Sequence, residues 1–259
     1  MNEYKEIKFE IKEGIGFITL NRPEKRNALS LNMMQEMISL LKMIKGQREI
    51  RVVIIKGAGP VFSAGHDLGE IIGRDISDYR LIFATCTEMM QAIRDLPQPV
   101  IAQVHGVATA AGCQLVATCD LAVAEENARF ATPGVRIGLF CHTPQVPLSR
   151  AIGRKKALEM LLTGRPITAQ EAERCGLINK VVPLESLAEE TWQLAQQIAQ
   201  ASPLTLALGK KSFYNQVEAV EERAYAYAQE MMALNALTED AQEGISAFLQ
   251  KRTPQWKGK

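Results

Sequence analysis

The chain has 259 residues, 47% hydrophobic and 23% charged, and 30 basic against 29 acidic side chains leave a formal net charge of +1. That balance supplies no global field for nucleic acid or an anionic membrane, so any anionic ligand must be met by a local patch. Five cysteines at 86, 113, 119, 141 and 175 make no C-x-x-C pair, which argues against a zinc site or a disulfide framework.

The opening stretch, Met1 to Phe9, is charged and lacks the marks of a secretory signal or a basic transit peptide. With an odd number of cysteines, it predicts a reduced, cytoplasmic protein. Ile7, Phe9 and Ile11 alternate with charged residues, Glu13-Gly14 punctuates, and Phe17 to Leu20 resumes, the pattern of a β-hairpin. Ser30 is placed to cap a helix whose apolar residues run Met33, Met34, Met37, Ile38, Leu41, Ile44. The methionines from Met33 to Met43 are read as core. Val52 to Ile55 is a continuous apolar run before a glycine, as in a strand buried on both faces. Helical spacing returns from Tyr79 to Asp95 and ends at Pro97 and Pro99.

Pro99 to Ala124 is the longest apolar region, but Gln103, His105, Gln114 and Asp120 interrupt it, so it is no membrane span. It reads as strand Val100 to Val104, a turn, a helix from about Ala111, and strand Leu121 to Ala124. Strands alternating with helices imply parallel βα units. Thr168 and Glu171 suit a capping box. Beyond Pro183 helix formers dominate: Leu187 to Ala201, a Ser202-Pro203 start, Glu221 to Ala236 and Glu239 to Leu249. This composition shift places a boundary near residue 185, giving an α/β core over 1–185 and a helical region over 186–259.

Two segments invite chemistry. Gly57 to Glu70 (GAGPVFSAGHDLGE) follows a buried strand, so it lies at the carboxyl end where open α/β sheets bind ligands. His105 to Gln114 (HGVATAAGCQ) follows a second strand and enters a helix whose first N–H groups are unpaired. The two donor sets could converge on one oxygen atom. Spacing alone favours the plainer account, two tight βα turns without function.

NRPEKRNALS (Asn21 to Ser30), FSAGHDL (Phe62 to Leu68) and HGVATAAGCQLVATCDLAVA (His105 to Ala124), in this order and spacing, resemble the crotonase, or enoyl-CoA hydratase/isomerase, superfamily. Ala131-Thr132-Pro133 and Leu161 to Gly176 extend the likeness, which runs from about Phe9 to Arg252. GLFCHTP (Gly138 to Pro144) and AFLQKR (Ala247 to Arg252) are most similar to its enoyl-CoA hydratase domain-containing group. The resemblance implies an α/β spiral of ββα units with two roughly perpendicular sheets and a C-terminal helical trimerisation region, as a homotrimer or dimer of trimers. It also implies an acyl-CoA thioester as partner, with coenzyme A part of the substrate and no separate cofactor, metal, nucleic acid or membrane.

The same resemblance assigns the two oxyanion donors to the peptide N–H groups of His66 and Ala111. Gly112 is expected to let the thioester approach. Lys25, Arg26, Ala28 and Ala64, with Asp67 and Leu68 of the loop, and Phe248 and Lys251 from a neighbouring subunit, are expected to bind the substrate. Asp67 also resembles a residue that holds the loop. The usual glutamates are absent: Gln114 and Gly134 occupy their positions, and neither can carry a proton at neutral pH. His142 is then a candidate base or a polar pocket liner. His105 suits a backbone contact, Cys113 and Cys141 suit small buried groups, and Glu70 suits either helix surface or a pocket carboxylate. Three functions follow: an acyl-CoA enzyme with altered proton chemistry, a malonyl-type decarboxylase with Arg136 as the cation to test, or a non-catalytic acyl-CoA-binding protein.

Overall fold

Five strands of one sheet run parallel, and the central ones are nearly continuous in apolar residues because both of their faces are covered. The computed structural model describes residues 4–259, so the first three residues of the charged opening stretch lie outside the described residues. Strands β1 (Ile7–Lys12) and β2 (Ile15–Leu20) form the expected antiparallel hairpin, with Gly14 at φ +77 in its turn. Helix α1 (Leu31–Lys45) is capped by the Ser30 hydroxyl, which accepts from the Met33 N–H at 3.0 Å. Strand β3 (Val52–Gly57), the one-turn helix α2 (Leu68–Ile71) and helix α3 (Ile76–Arg94) follow. The Asp75 side chain caps α3, which therefore starts three residues before the expected Tyr79. Next come β4 (Val100–Val104), β5 (Val107–Thr109), α4 (Ala111–Thr118), β6 (Leu121–Glu125) and β7 (Arg129–Ala131). Strand β5 occupies what was expected to be only a turn. It forms because Val107 to Thr109 pairs in parallel with β7.

The second half holds α5 (Gln145–Ala151), α6 (Arg154–Thr163), β8 (Ile167–Thr168), α7 (Ala169–Cys175) and β9 (Lys180–Val182). The capping box is present: the Thr168 hydroxyl accepts from the Glu171 N–H, and the Glu171 carboxylate accepts from the Thr168 N–H. Four helices end the chain: α8 (Leu184–Ala199), α9 (Pro203–Gln216), α10 (Glu221–Ala236) and α11 (Glu239–Leu249).

The large sheet has the order β1-β2-β3-β4-β6-β9, antiparallel only at its β1 edge, and the small sheet has the order β5-β7-β8. Alternation along β3 explains its unbroken apolar run. Val53 and Ile55 face the main core with α1, α3 and α4, whereas Val52 and Ile54 face a second cluster with Leu187 and Ala195 of α8. Stacking of Trp192 on Phe17, 5.8 Å between centroids, seats α8 on that second face. A division at residue 185 falls inside the first turn of α8, and this helix is part of the α/β layer. Met43 departs from the core reading: it is 37% exposed, because it falls off the buried stripe of α1.

Candidate active site at the carboxyl ends of β3 and β4

The loops after β3 and β4 are stitched together by the segment after β2. Asn27 is fully buried with φ 51, a left-handed conformation that asparagine tolerates. Its amide donates to the carbonyls of Ala58 and Val61 at 2.7 and 2.8 Å, and its Oδ1 accepts from the Arg22 N–H. Ser63 donates to the Asn27 carbonyl at 2.8 Å, and the Ala64 N–H donates to the Arg26 carbonyl at 3.0 Å. Ser63 pairs with Ala108, tying the first loop to β5. The NRPEKRNALS and FSAGHDL motifs are thus one hydrogen-bonded unit.

Leu29 pairs with His66 in a parallel bridge, its own N–H and carbonyl bonding Gly65 and Asp67. That pattern turns the His66 N–H away from Leu29, and it has no acceptor among the described residues. Ala111 is the first residue of α4, so its N–H is one of the helix's unpaired donors. Ala110 before it is strained, with φ 50 and ψ −118, and is held there by its N–H bond to the Ala131 carbonyl at 2.9 Å. Gly65, at φ +93, lies against this turn: a Cβ there would stand 2.8 Å from the Ala110 Cβ and 3.2 Å from the Ala111 nitrogen. The two free N–H groups therefore belong to loops in contact.

Both residues line a cavity of about 610 Å3 together with Ala64, Leu68, Phe83, Leu139, Phe140 and His142. A second apolar hollow of about 780 Å3 shares Ile71, Phe83, Leu139 and Thr143 with it. The His66 ring stands edge-on to Phe83, and neither ring nitrogen has a hydrogen-bond partner. Burial pushes its imidazole down to about 4. The ring is neutral at physiological pH.

The remaining expected residues divide clearly. His142 is exposed on the cavity wall, tilted against Phe140 at 5.0 Å. Gln114 is buried one turn into α4 and does not line the cavity; its Oε1 faces the Cys86 thiol at 4.0 Å. Gly134 does line it. A Cβ at Gly134 would lie 2.0 Å from the Leu139 carbonyl oxygen, so the 138–144 loop fills the direction a longer side chain would take. Gly112 is corrected in its reason. A Cβ there would meet the Ser63 carbonyl at 2.4 Å, and its smallness serves packing of α4 on the Ser63 loop rather than approach from the cavity.

Asp67 also stands outside the cavity lining: it pairs with Arg22 at 3.0 Å and caps α2 through the Gly69 N–H. It holds the loop. Lys25 and Arg26 are exposed and Ala28 is buried, all on the segment bonded to Ala64, and none lines the cavity. Phe248 and Lys251 are exposed at the end of α11 and lie outside the lining of this protomer's cavity. His105 makes a backbone contact, its Nε2 lying 2.8 Å from the Gly59 carbonyl. Burial raises the thiols of Cys113, to about 12, and Cys141, so both stay protonated. Glu70 takes neither expected role: its carboxylate accepts the Leu31 N–H at 2.7 Å and caps α1. Arg136 lines the cavity, held by its Nε on the Thr163 carbonyl, and is the one Lys or Arg among the lining residues. Phe83, Ile71 and Ile137 escaped sequence reasoning, since helical or loop spacing does not say what an apolar residue faces across the molecule.

Residues 10–259 match the family described as enoyl-CoA hydratase/isomerase. The rat mitochondrial enoyl-CoA hydratase domain-containing protein 3 is 52% identical over 246 residues, covering 95% of this chain and 82% of the relative. The Escherichia coli 2,3-dehydroadipyl-CoA hydratase is 37% identical over 243 residues, covering 93% and 94%. The crystal structure of human enoyl coenzyme A hydratase domain-containing protein 3 superposes with a TM-score of 0.95 at 48% identity, over 97% of this chain and 100% of that one. An enoyl-CoA hydratase from Mycobacterium smegmatis gives the same TM-score at 45% identity, over 97% and 99%. Among the described residues no helix is long and apolar enough to cross a membrane.

Proposed function

The chain belongs to the enoyl-CoA hydratase/isomerase family, and from that premise we propose that it binds an acyl-CoA thioester and stabilises its enolate between the His66 and Ala111 N–H groups. The observation that carries this reading is the pair of unengaged N–H groups on touching loops beside an apolar cavity. As negative charge develops on the thioester oxygen, each preorganised donor contributes about 3 kcal/mol. The amino end of α4 adds its dipole in the same sense. On this reading the acyl group lies against Phe83, Leu139 and Phe140. The coenzyme A portion runs past Ala64 toward Lys25, Arg26 and Ala28, and Phe248 and Lys251 of a neighbouring copy complete its contacts. Coenzyme A enters as part of the substrate, and the step needs no separate cofactor.

Ordinary hydration is not the reaction we assign. General acid–base help contributes about two to four orders of magnitude, and neither Gln114 nor Gly134 supplies a carboxylate. The Leu139 carbonyl beside Gly134 supports the view that this loss is built into the loop. His142 is the group on the cavity wall best suited to take a proton.

Arg136 favours a second reading, decarboxylation of a malonyl-type thioester. The bond from the α-carbon to the carboxylate breaks, CO2 leaves, and the electron pair passes to the thioester oxygen as an enolate held by the two N–H groups. The α-carbon then takes a proton. A panel of acyl-CoA thioesters in deuterated water, followed by mass spectrometry, separates the readings. Deuterium at the α-carbon supports enolate chemistry, and CO2 release from a malonyl thioester supports the second. Binding with neither supports a non-catalytic acyl-CoA-binding protein. Hydration of crotonyl-CoA at rates typical of the family would sink the inference from Gln114 and Gly134. Ala111→Pro is the control, since it deletes one donor; it also constrains Ala110 before it and so disturbs the helix start, and circular dichroism checks the fold.

Five free thiols fit a reducing compartment. The cytoplasm is the location we propose, although the rat relative's name places that protein in mitochondria.

A further inference from the structure

A separate cavity of about 330 Å3 opens at the other end of the large sheet, where Arg51 leads into β3 and Pro99 into β4. Lys45, Arg48, Arg51 and Lys257 all line it, and no Asp or Glu does among the described residues. In a chain of net charge +1 this is a strong local concentration. Glu239 and Asp240 offset part of this charge, and what is left, chiefly on Lys45 and Arg48, favours an anion in the hollow. Lys257 has a partner in Glu239 at 3.1 Å. Lys45 and Arg48 are exposed and reach no carboxylate within salt-bridge distance among the described residues. Arg51 is deeper. Its guanidinium donates to the Ala201 carbonyl, while its buried Nε has no acceptor. The Asp240 carboxylate acts on Arg51, but its oxygens already accept the Ser202 hydroxyl and the N–H groups of Lys257 and Gly258. Trp256 supplies an aromatic wall, its ring anchored by an indole N–H bond to the Gln200 carbonyl at 2.7 Å.

We propose that this cavity is a second ligand site, for a small phosphorylated molecule with a flat body, the chemistry of a nucleoside phosphate. Lysine and arginine donors suit phosphate oxygens through charge-assisted hydrogen bonds. The Trp256 face suits a planar base, which stacks on aromatic rings without regard to sequence. The volume falls at the small end of the range for ligand pockets. The site lies at the opposite end of β3 and β4 from the thioester cavity, so both can be filled at once, and it does not depend on the thioester reading.

The chain has two tryptophans, and Trp192→Phe keeps an aromatic ring against Phe17 while leaving Trp256 as sole reporter. The full chain carrying Trp192→Phe is titrated with AMP and, separately, with inorganic phosphate, reading Trp256 emission. AMP is expected to change the emission saturably in the sub-millimolar range, more tightly than phosphate. Lys45→Gln with Arg48→Gln, both on exposed positions, should weaken AMP about tenfold or more, and rising salt should do the same. Lys25→Gln with Arg26→Gln, beside the thioester cavity, should leave the Trp256 titration unchanged. The proposal is overturned if no saturable change occurs, if the first pair leaves affinity intact, if the second pair abolishes it, or if phosphate binds as tightly as AMP.

Discussion

Gly134 is the residue whose lack of a side chain is fixed by the backbone around it. A Cβ at that position meets the Leu139 carbonyl at 2.0 Å. Gly134→Glu is therefore expected to destabilise the fold by about 3 kcal/mol and to leave crotonyl-CoA hydration at background, read by denaturant unfolding and a coupled assay. Gly65→Ala acts on the other side of the site. It forces a side chain at φ +93 against Ala110 and the Thr109 carbonyl, so thioester binding should fall with little change in helix content. His66 makes a pH prediction. Its imidazole titrates near 4 when folded and near 6.5 when unfolded. Between those values the unfolded chain binds a proton that the native chain does not, so stability is lost as pH falls from about 6.5 toward 4 and levels below that. The full effect is about 3 kcal/mol. Unfolding curves at pH 7 and pH 4.5 should converge in His66→Leu relative to the parent.

At the scale of elements, α9 is docked by charge rather than by an apolar stripe. No residue of α9 is fully buried, yet Lys210 has a side chain only 8% exposed. Its ammonium meets Asp120 at 2.7 Å and also donates to the Ile93 and Gln98 carbonyls, while Tyr214 donates to the other Asp120 oxygen at 2.8 Å. Asp120 in turn accepts the Val100 N–H at the start of β4. Breaking one partner of a buried pair strands the other. Lys210→Met should cost about 3 to 5 kcal/mol and Tyr214→Phe about 1 kcal/mol, with guanidinium denaturation as the measurement.

At the scale of the molecule, α9 to α11 present Phe213, Tyr225, Met232, Leu237, Phe248 and Leu249 to solvent. Large apolar side chains this exposed suit an interaction face, and we propose that it closes a homotrimer, which can pair into a dimer of trimers. Light scattering on the eluting protein should give three or six times the mass of one chain. Leu237→Glu with Phe248→Glu should shift it toward one, and a monomeric parent would remove this role from the helical region.

Local chemistry made much of this readable in advance. The hairpin, the Ser30 and Thr168 caps, the buried strands and the four last helices follow from periodicity and capping, which neighbouring residues in the chain determine among themselves. The order of the loops after β3 and β4, and the residue types at Gln114 and Gly134, were likewise legible. Tertiary structure alone decided what crosses between segments. It set α8 on the second face of the sheet, drew Glu70 to the Leu31 N–H and Asp67 to Arg22, and put the Ser63 carbonyl over Gly112 and the Leu139 carbonyl over Gly134. It also gathered Lys45, Arg48, Arg51 and Lys257 around one hollow. Such contacts join residues from distant parts of the chain, where no spacing rule operates and only packing chooses the partner.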